Sequence, residues 1–328
     1  MRQAWLAALF ALHLPLAAYT PIARAENRAA TDALAWLERI HAATKKLSYS
    51  GVFIYQQGAQ WETSRIARSV PATGLPQERM MALDGSPREI IRANDEVRCY
   101  LPGANTIKVE RMASERTLLP IVPTSVRGIA EHYTITRGES VRIAGFECQA
   151  IELAPKDKLR YGHKFWVDVG SGMVLKAQTL DAANRVIEQF MFTQLRIGPV
   201  AKRDLETRLN TKGWRIEQSG AVPANLAEAG WSLERTPPGF RKLTEIRRSF
   251  ASSGEAGQIV LSDGLAAVSL FIERLRDEHA NAPLGWSHQG AVNIFTLKMN
   301  DHLVTAVGEV PAQAVQTIAE SLRYRRVP

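Results

Sequence analysis

Turn-forming pairs punctuate this chain at short intervals, and each separates two strand-like runs. Gly58-Ala59, Asp84-Gly85, Pro102-Gly103, Ala144-Gly145, Gly170-Ser171-Gly172, Asp263-Gly264 and Asn300-Asp301 are the clearest. Asp-Gly accepts the positive φ angles of a type I′ turn, so Asp84-Gly85 and Asp263-Gly264 signal hairpins most directly. Short strands joined by evenly spaced turns point to an antiparallel sheet or an open barrel.

One helix precedes the strands. Thr31-Asp32 can cap a helix that runs to about Lys46, with Leu34, Leu37 and Ile40 on one face and Glu38, Arg39 and Lys45 on the other. Strands are predicted over 49–57, 60–70, 80–83, 89–92, 97–101 and 106–110. A loop with a short helix follows over 120–131, then a meander over 141–143, 147–153, 164–169, 173–179 and 186–195. A sheet that long tends to curl, leaving one helix to cover its open face. Residues 198–214 carry Lys202, Arg203, Asp204, Glu206 and Arg208 with few large apolar residues, the pattern of a solvated connection. Beyond it, strands over 231–235, 242–250 and 292–307 surround the Asp263-Gly264 hairpin, and Pro311 opens a helix over 312–324 striped by Val315, Ile318, Ala319 and Leu322. Two domains are therefore expected, over 26–200 and 214–328, joined by 201–213.

The N-terminus has the pattern of an export signal. Met1-Arg2 is a short positive start, 4–18 is apolar, and Ala23-Arg24-Ala25 is a small-residue cleavage site, so Glu26 is the expected mature start. The apolar stretch is too short for a bilayer span of about 20 residues. The formal charge is +8, and losing Arg2 and Arg24 with the signal leaves +6. In an exported protein that basicity favours phosphorylated lipid headgroups, anionic polysaccharide or an acidic protein segment over nucleic acid. Cys99 and Cys148 are the only cysteines. In an oxidising compartment they are expected to form one disulfide, worth about 4 kcal/mol on the chain-entropy model; two separate buried thiols are the alternative.

Catalytic patterns are missing from the sequence. It contains no G-x-S-x-G, H-E-x-x-H, G-x-G-x-x-G or Walker A run, and no two histidines stand four apart on a helix. Gly103 to Lys108 lacks the second Gly and the Gly-Lys-Ser/Thr ending of a phosphate loop and is taken as a hairpin turn. No enzyme activity, cofactor or metal is expected.

The run Asp263-Gly264-Leu265-Ala266-Ala267-Val268-Ser269-Leu270-Phe271-Ile272-Glu273, followed by Gly308-Glu309-Val310-Pro311 ahead of the last helix, resembles the C-terminal domain of the MucB/RseB family. Phe165-Trp166-Val167-Asp168, followed by Ser171-Gly172-Met173-Val174-Leu175-Lys176, resembles a hairpin of LolA-like lipoprotein carriers. Together the resemblances imply an α+β fold: an N-terminal LolA-like half-open antiparallel β-barrel with covering helices, and a smaller C-terminal α+β domain. They also imply a function. Members are periplasmic negative regulators of an envelope-stress sigma factor. Such a protein would bind the periplasmic part of a membrane anti-sigma factor of the RseA/MucA type, shield it from site-1 proteolysis, and be released by lipopolysaccharide or lipoprotein acyl chains. Its contact with the inner membrane would run through that partner, and a homo-oligomer stays open. Phe53, Tyr55, Met80, Met81, Phe165 and Trp166 are the lipid-binding candidates, and Asp263, Gly264 and Phe271 the partner-binding candidates. A lipid or lipoprotein carrier of the LolA type is the competing reading; a carrier needs only the barrel, whereas this chain adds a second domain.

Overall fold

The structure, a computed structural model, describes residues 21–72, 75–111, 117–119, 123, 125–126, 128–250, 254–276 and 283–326. The export-signal reading falls largely on residues outside these. Helix α1 (Pro21–Lys46) starts earlier than the expected cap and ends with Lys45 and Lys46 in its last turn, where cations suit the helix dipole. Ala33, Leu37 and Ile40 are fully buried, one per turn along a single face.

The first sheet follows: β1 (Tyr49–Gln57), β2 (Gln60–Ser69), β3 (Gln77–Ala82), β4 (Glu89–Ala93), β5 (Glu96–Leu101) and β6 (Thr106–Arg111), then helix α2 (Ile129–His132), then β7 (Tyr133–Ile143), β8 (Phe146–Pro155), β9 (Gly162–Asp168), β10 (Val174–Leu180) and β11 (Val186–Ile197). Strand β1 pairs antiparallel with β2 on one side and with β11 on the other. The start of the meander therefore lies mid-sheet, and the order runs β6-β5-β4-β3-β2-β1-β11-β10-β9-β8-β7. Leu37 and Ile40 of α1 share one core with Ile66 of β2, Phe190 and Phe192 of β11, Phe165 of β9 and Ile135 of β7. One helix can touch both wings only if the sheet wraps around it. Phe53 meets Phe190 and Phe192 edge-on, at 6.2 and 5.8 Å between ring centres, a favoured aromatic geometry.

The second domain contains β12 (Arg215–Pro223), β13 (Trp231–Leu233), β14 (Arg241–Phe250), β15 (Gly254–Ser262), β16 (Ala267–Arg274), β17 (Gly285–Gln289), β18 (Val292–Met299), β19 (His302–Gly308), α3 (Ala312–Glu320) and β20 (Leu322–Tyr324). Its sheet runs β12-β14-β15-β16-β19-β18-β17, antiparallel throughout. α3 covers one face of it, burying Val315 and Ile318 with Leu270, Val304 and Ala306. Strand β12 belongs to both sheets. Arg215 to Ser219 pairs in parallel with Thr106 to Glu110 of β6, and Gly220 to Pro223 pairs antiparallel with β14.

Three expectations need correction. The C-terminal helix stops at Glu320, because the fully buried Leu322 and its neighbours pair as β20 with β13, Trp231 opposite Tyr324. The connection over 198–214 is not wholly solvated: Leu205 is buried, and Thr207 Oγ1 donates to Glu89 Oε2 on the first sheet at 3.0 Å. The expected disulfide is absent, Cys99 and Cys148 both being free thiols. Register is the reason: Cys99 on β5 stands between Ile90 and Lys108, whereas Cys148 on β8 stands between Val141 and Asp168.

Candidate functional site

The turn between β15 and β16 is built by its own aspartate. Asp263 Oδ1 accepts from the backbone N–H of Leu265 at 3.0 Å and of Ala266 at 2.9 Å. That leaves Oδ2 aimed at the first domain, where it accepts from Tyr133 Oη at 3.1 Å and from Arg160 Nε at 3.0 Å. Arg160 lies in the β8–β9 connection with its side chain fully buried. Its remaining nitrogens bond Asp157 of its own domain and the Pro238 carbonyl of the other, and its guanidinium lies 5.2 Å over the Phe240 ring. Burial and the Asp263 charge push the Tyr133 hydroxyl well up, so it stays a donor. Gly264 has φ +100°, and a Cβ there would stand 2.8 Å from the Ser125 carbonyl oxygen. Only glycine allows both the turn and this approach.

Asp263 and Gly264 are therefore buried at the junction between the domains, not displayed to a separate partner. Phe271 is elsewhere, half-buried on β16 in the register that alternates with the core residues Leu270 and Ile272. The three partner-binding candidates do not share a surface.

Beside this junction a cavity of about 350 Å³ separates the domains. The first domain contributes Leu119, His163, Phe165 and Thr179, and the second contributes Leu265, Val292, Val307 and Glu309 among others. The second domain thus plugs one end of the face that α1 covers. His163 is buried with neither ring nitrogen hydrogen-bonded, and it stacks on Phe165 at 6.0 Å. Burial pushes its pKa down to about 4, against the opposing pull of Asp263, so the ring is neutral. Glu188 pairs in register with Thr179, whose hydroxyl donates to it at 3.3 Å, and Tyr55 donates to its other oxygen. Burial, with Glu309 adding to it, pushes Glu188 up to about 7. Directly under α1, the cavity between Ala43, Tyr49 and Met173 measures about 10 Å³.

The lipid-binding candidates divide by strand alternation. Phe53 and Phe165 point into the packed core, Tyr55 is engaged with Glu188, and Met80 packs on the core edge. Trp166 faces the other way, with its indole N–H on Glu139 at 3.2 Å and the ammonium groups of Lys164 and Lys176 over its ring at 4.9 and 4.4 Å. Met81 lines a separate groove of about 540 Å³ between the first sheet and the 204–209 segment. Arg65, Arg196 and Arg208 stand around that groove, exposed and without an ion pair among the described residues.

Sequence reasoning missed Arg160, Tyr133, His163 and Glu188. Period-two alternation from Phe165 would have placed His163 on the inner face, and from Phe190 would have placed Glu188 there. Arg160 sits in a connection with no pattern to mark it. Among the described residues no group of three or more His, Cys, Asp or Glu could hold a metal ion, and no helix is long and apolar enough to cross a membrane.

Two family models match the chain in order: the MucB/RseB N-terminal domain over residues 32–210 and the MucB/RseB C-terminal domain over 225–323. The chain is similar to the sigma factor AlgU regulatory protein MucB of Pseudomonas aeruginosa, 28% identical over 298 residues, covering 90% of this chain and 92% of that one. It is also similar to the sigma-E factor regulatory protein RseB of Escherichia coli strain K12, 23% identical with 99% of each chain covered. Among solved structures it resembles the Pseudomonas aeruginosa MucA/MucB complex with a TM-score of 0.70 at 26% identity, covering 90% of this chain and 100% of that chain. A crystal structure of MucB in complex with MucA(peri) gives 0.67 at 26% identity, with 91% and 100% covered.

Proposed function

The chain belongs to the MucB/RseB family, and from that premise we propose that it is a periplasmic regulator that binds the periplasmic part of a MucA/RseA-type anti-sigma factor. Bound there, it withholds the anti-sigma factor from site-1 proteolysis. The observation that carries this reading is the ordered match of both domains, together with the fold similarity over 90% of the chain to a MucB solved with MucA. Its relatives are named as regulatory proteins, and the junction is built of docking contacts, which supports action by binding and not by catalysis.

The same geometry supports release by an acyl ligand. The cavity beneath α1 is small, about 10 Å³, and the larger one beside it is lined in part by Leu265, Val292 and Val307 of the second domain. An acyl chain entering beside Phe165 must push these residues back. Ligand entry and domain docking therefore oppose each other, which gives a ligand the differential affinity for two states that any switch needs. Phosphorylated headgroups can be met by Arg65, Arg196 and Arg208 on the other face.

The test is a titration of the mature protein with the periplasmic segment of the anti-sigma factor from the same genome, repeated with lipid A-like and lipopeptide ligands of graded chain length. The segment should bind, and should resist site-1 cleavage while bound. Each added CH₂ should tighten the lipid by about 0.8 kcal/mol, roughly fourfold, until the cavity is full. No binding of the segment overturns the regulator reading. A complex that survives lipid saturation keeps the regulator and removes the release mechanism, leaving a LolA-type carrier activity beside it.

A further inference from the structure

Thr117 and Leu119 are the two described residues that line both the cavity of about 350 Å³ between the domains and the cavity of about 10 Å³ beneath α1. The two spaces lie along one strand pair. Phe165 on β9 lines the larger; Val174 on β10 lines the smaller and pairs with Val167, two residues further along β9. Residues two apart on a strand share a face and stand roughly 7 Å from each other. Leu119 is 6% exposed and packs into the same core as Phe165 and Val174. It is therefore a wall between two spaces on one face of the sheet.

The wall is held from behind. Glu78 on β3, wholly buried, accepts from Thr117 Oγ1 at 2.6 Å and from the Leu118 backbone N–H at 2.9 Å. Thr117 Oγ1 in turn accepts from the Leu119 N–H at 3.2 Å. The carboxylate is itself fixed between Arg68 and Arg92, both buried. Three successive residues are thus anchored through one buried carboxylate. To move this backbone, an incoming chain would have to break charge-assisted hydrogen bonds, which are the stronger kind.

We propose that Leu119 sets the length of acyl chain that this protein accepts. A chain entering from the cavity between the domains ends against Leu119 and does not reach the space beneath α1. The inference rests on the acyl-ligand reading above and names the residue that limits that site. A leucine suits the position, because an apolar branched end meets a terminal methyl group without leaving a polar atom unpaired.

The experiment titrates the mature protein and its variants with single-chain lysophospholipids of graded length, each below its micelle concentration, by calorimetry. Wild-type affinity should rise about fourfold per CH₂ and then stop rising. Leu119→Ala shortens the wall by roughly three carbons, so the rise should continue for about three more CH₂. Leu119→Val, a milder change that carries the test where the alanine variant does not fold, should extend it by about one. Leu119→Met, of similar volume, should keep the wild-type stop. Met173 lines only the smaller cavity, so Met173→Ala should leave the stop in place by itself and lengthen it further when joined to Leu119→Ala. A side chain that merely filled the core would, on truncation, weaken every chain length alike. That uniform loss, or an unmoved stop in both Leu119→Ala and Leu119→Val, overturns the proposal and leaves acyl binding intact. A wild type whose affinity ignores chain length removes the acyl reading and this inference with it.

Discussion

Arg160 Nε and Asp263 Oδ2 lie 3.0 Å apart across the domain boundary, both side chains wholly removed from solvent. Such a pair adds little net stability over well-packed apolar residues, yet removing one partner strands a buried charge. The turn between β15 and β16 is thus the piece that seats one domain on the other.

Asp263→Ala should cost about 3–5 kcal/mol, because it removes the wholly buried partner of Arg160 and leaves only the partly exposed Asp157 to face that charge. Tyr133→Phe removes one hydrogen bond to the same oxygen and should cost only about 1 kcal/mol. Urea unfolding of the two variants checks the order. Equal losses would mean that the charge pair carries no special weight.

Gly264→Val should destabilise the protein by about 1–3 kcal/mol from the positive φ alone, with the clash against Ser125 adding to it. Affinity for the anti-sigma segment should fall in step, since the domains can no longer seat. A folded variant with wild-type stability and affinity would remove this turn from the mechanism.

Alkylation without reduction should label Cys99 in the native protein and leave Cys148 untouched until it unfolds. Cys99 is half-buried, whereas Cys148 is fully buried with its thiol pushed up to about 11, largely by desolvation. Intact mass spectrometry reads this directly. A bridged peptide pair would contradict the strand register described above.

Much of the architecture was legible in the sequence, because turn chemistry is local. Asp84-Gly85 and Asp263-Gly264 marked their turns, and Pro311 marked the start of α3. Strand order is not local, and that is where the reading failed. Whether Cys99 can reach Cys148 depends on β1 pairing with β11, a contact between residues more than a hundred apart. Phe165 and Trp166 were grouped as one binding surface because both are aromatic, although adjacent strand residues must face opposite ways. Asp263 was visible as a turn residue, but its buried partner Arg160 was not, since nothing in a charged connection announces which cation will be taken inside.

Two buried groups of the junction should give opposing pH responses. The His163 pKa is depressed to about 4 from 6.5, so its contribution is present above 6.5 and is lost as pH falls toward 4, by about 3 kcal/mol in all. Glu188 is raised to about 7 from 4.5, so its contribution is present below 4.5 and is lost as pH rises toward 7, by a similar amount of about 3 kcal/mol. Between 4.5 and 6.5 the two slopes cancel, and wild-type stability should be nearly flat. Glu188→Gln should then gain stability with rising pH, and His163→Asn should lose it. Thermal unfolding at several pH values separates them; parallel curves for both variants would show that neither group titrates as described.

Strand β12 gives the molecule a property that bears on how it can be divided. Its first half completes the edge of β6 and its second half completes the edge of β14, so no cut between the domains leaves both sheets intact. A fragment ending at residue 213 would expose the backbone of Thr106 to Glu110 as an unpaired rim, open to the same segment of a second copy. Two such fragments joined rim to rim would be a dimer created by the scissors, and its binding behaviour would say nothing about the first domain in the whole protein.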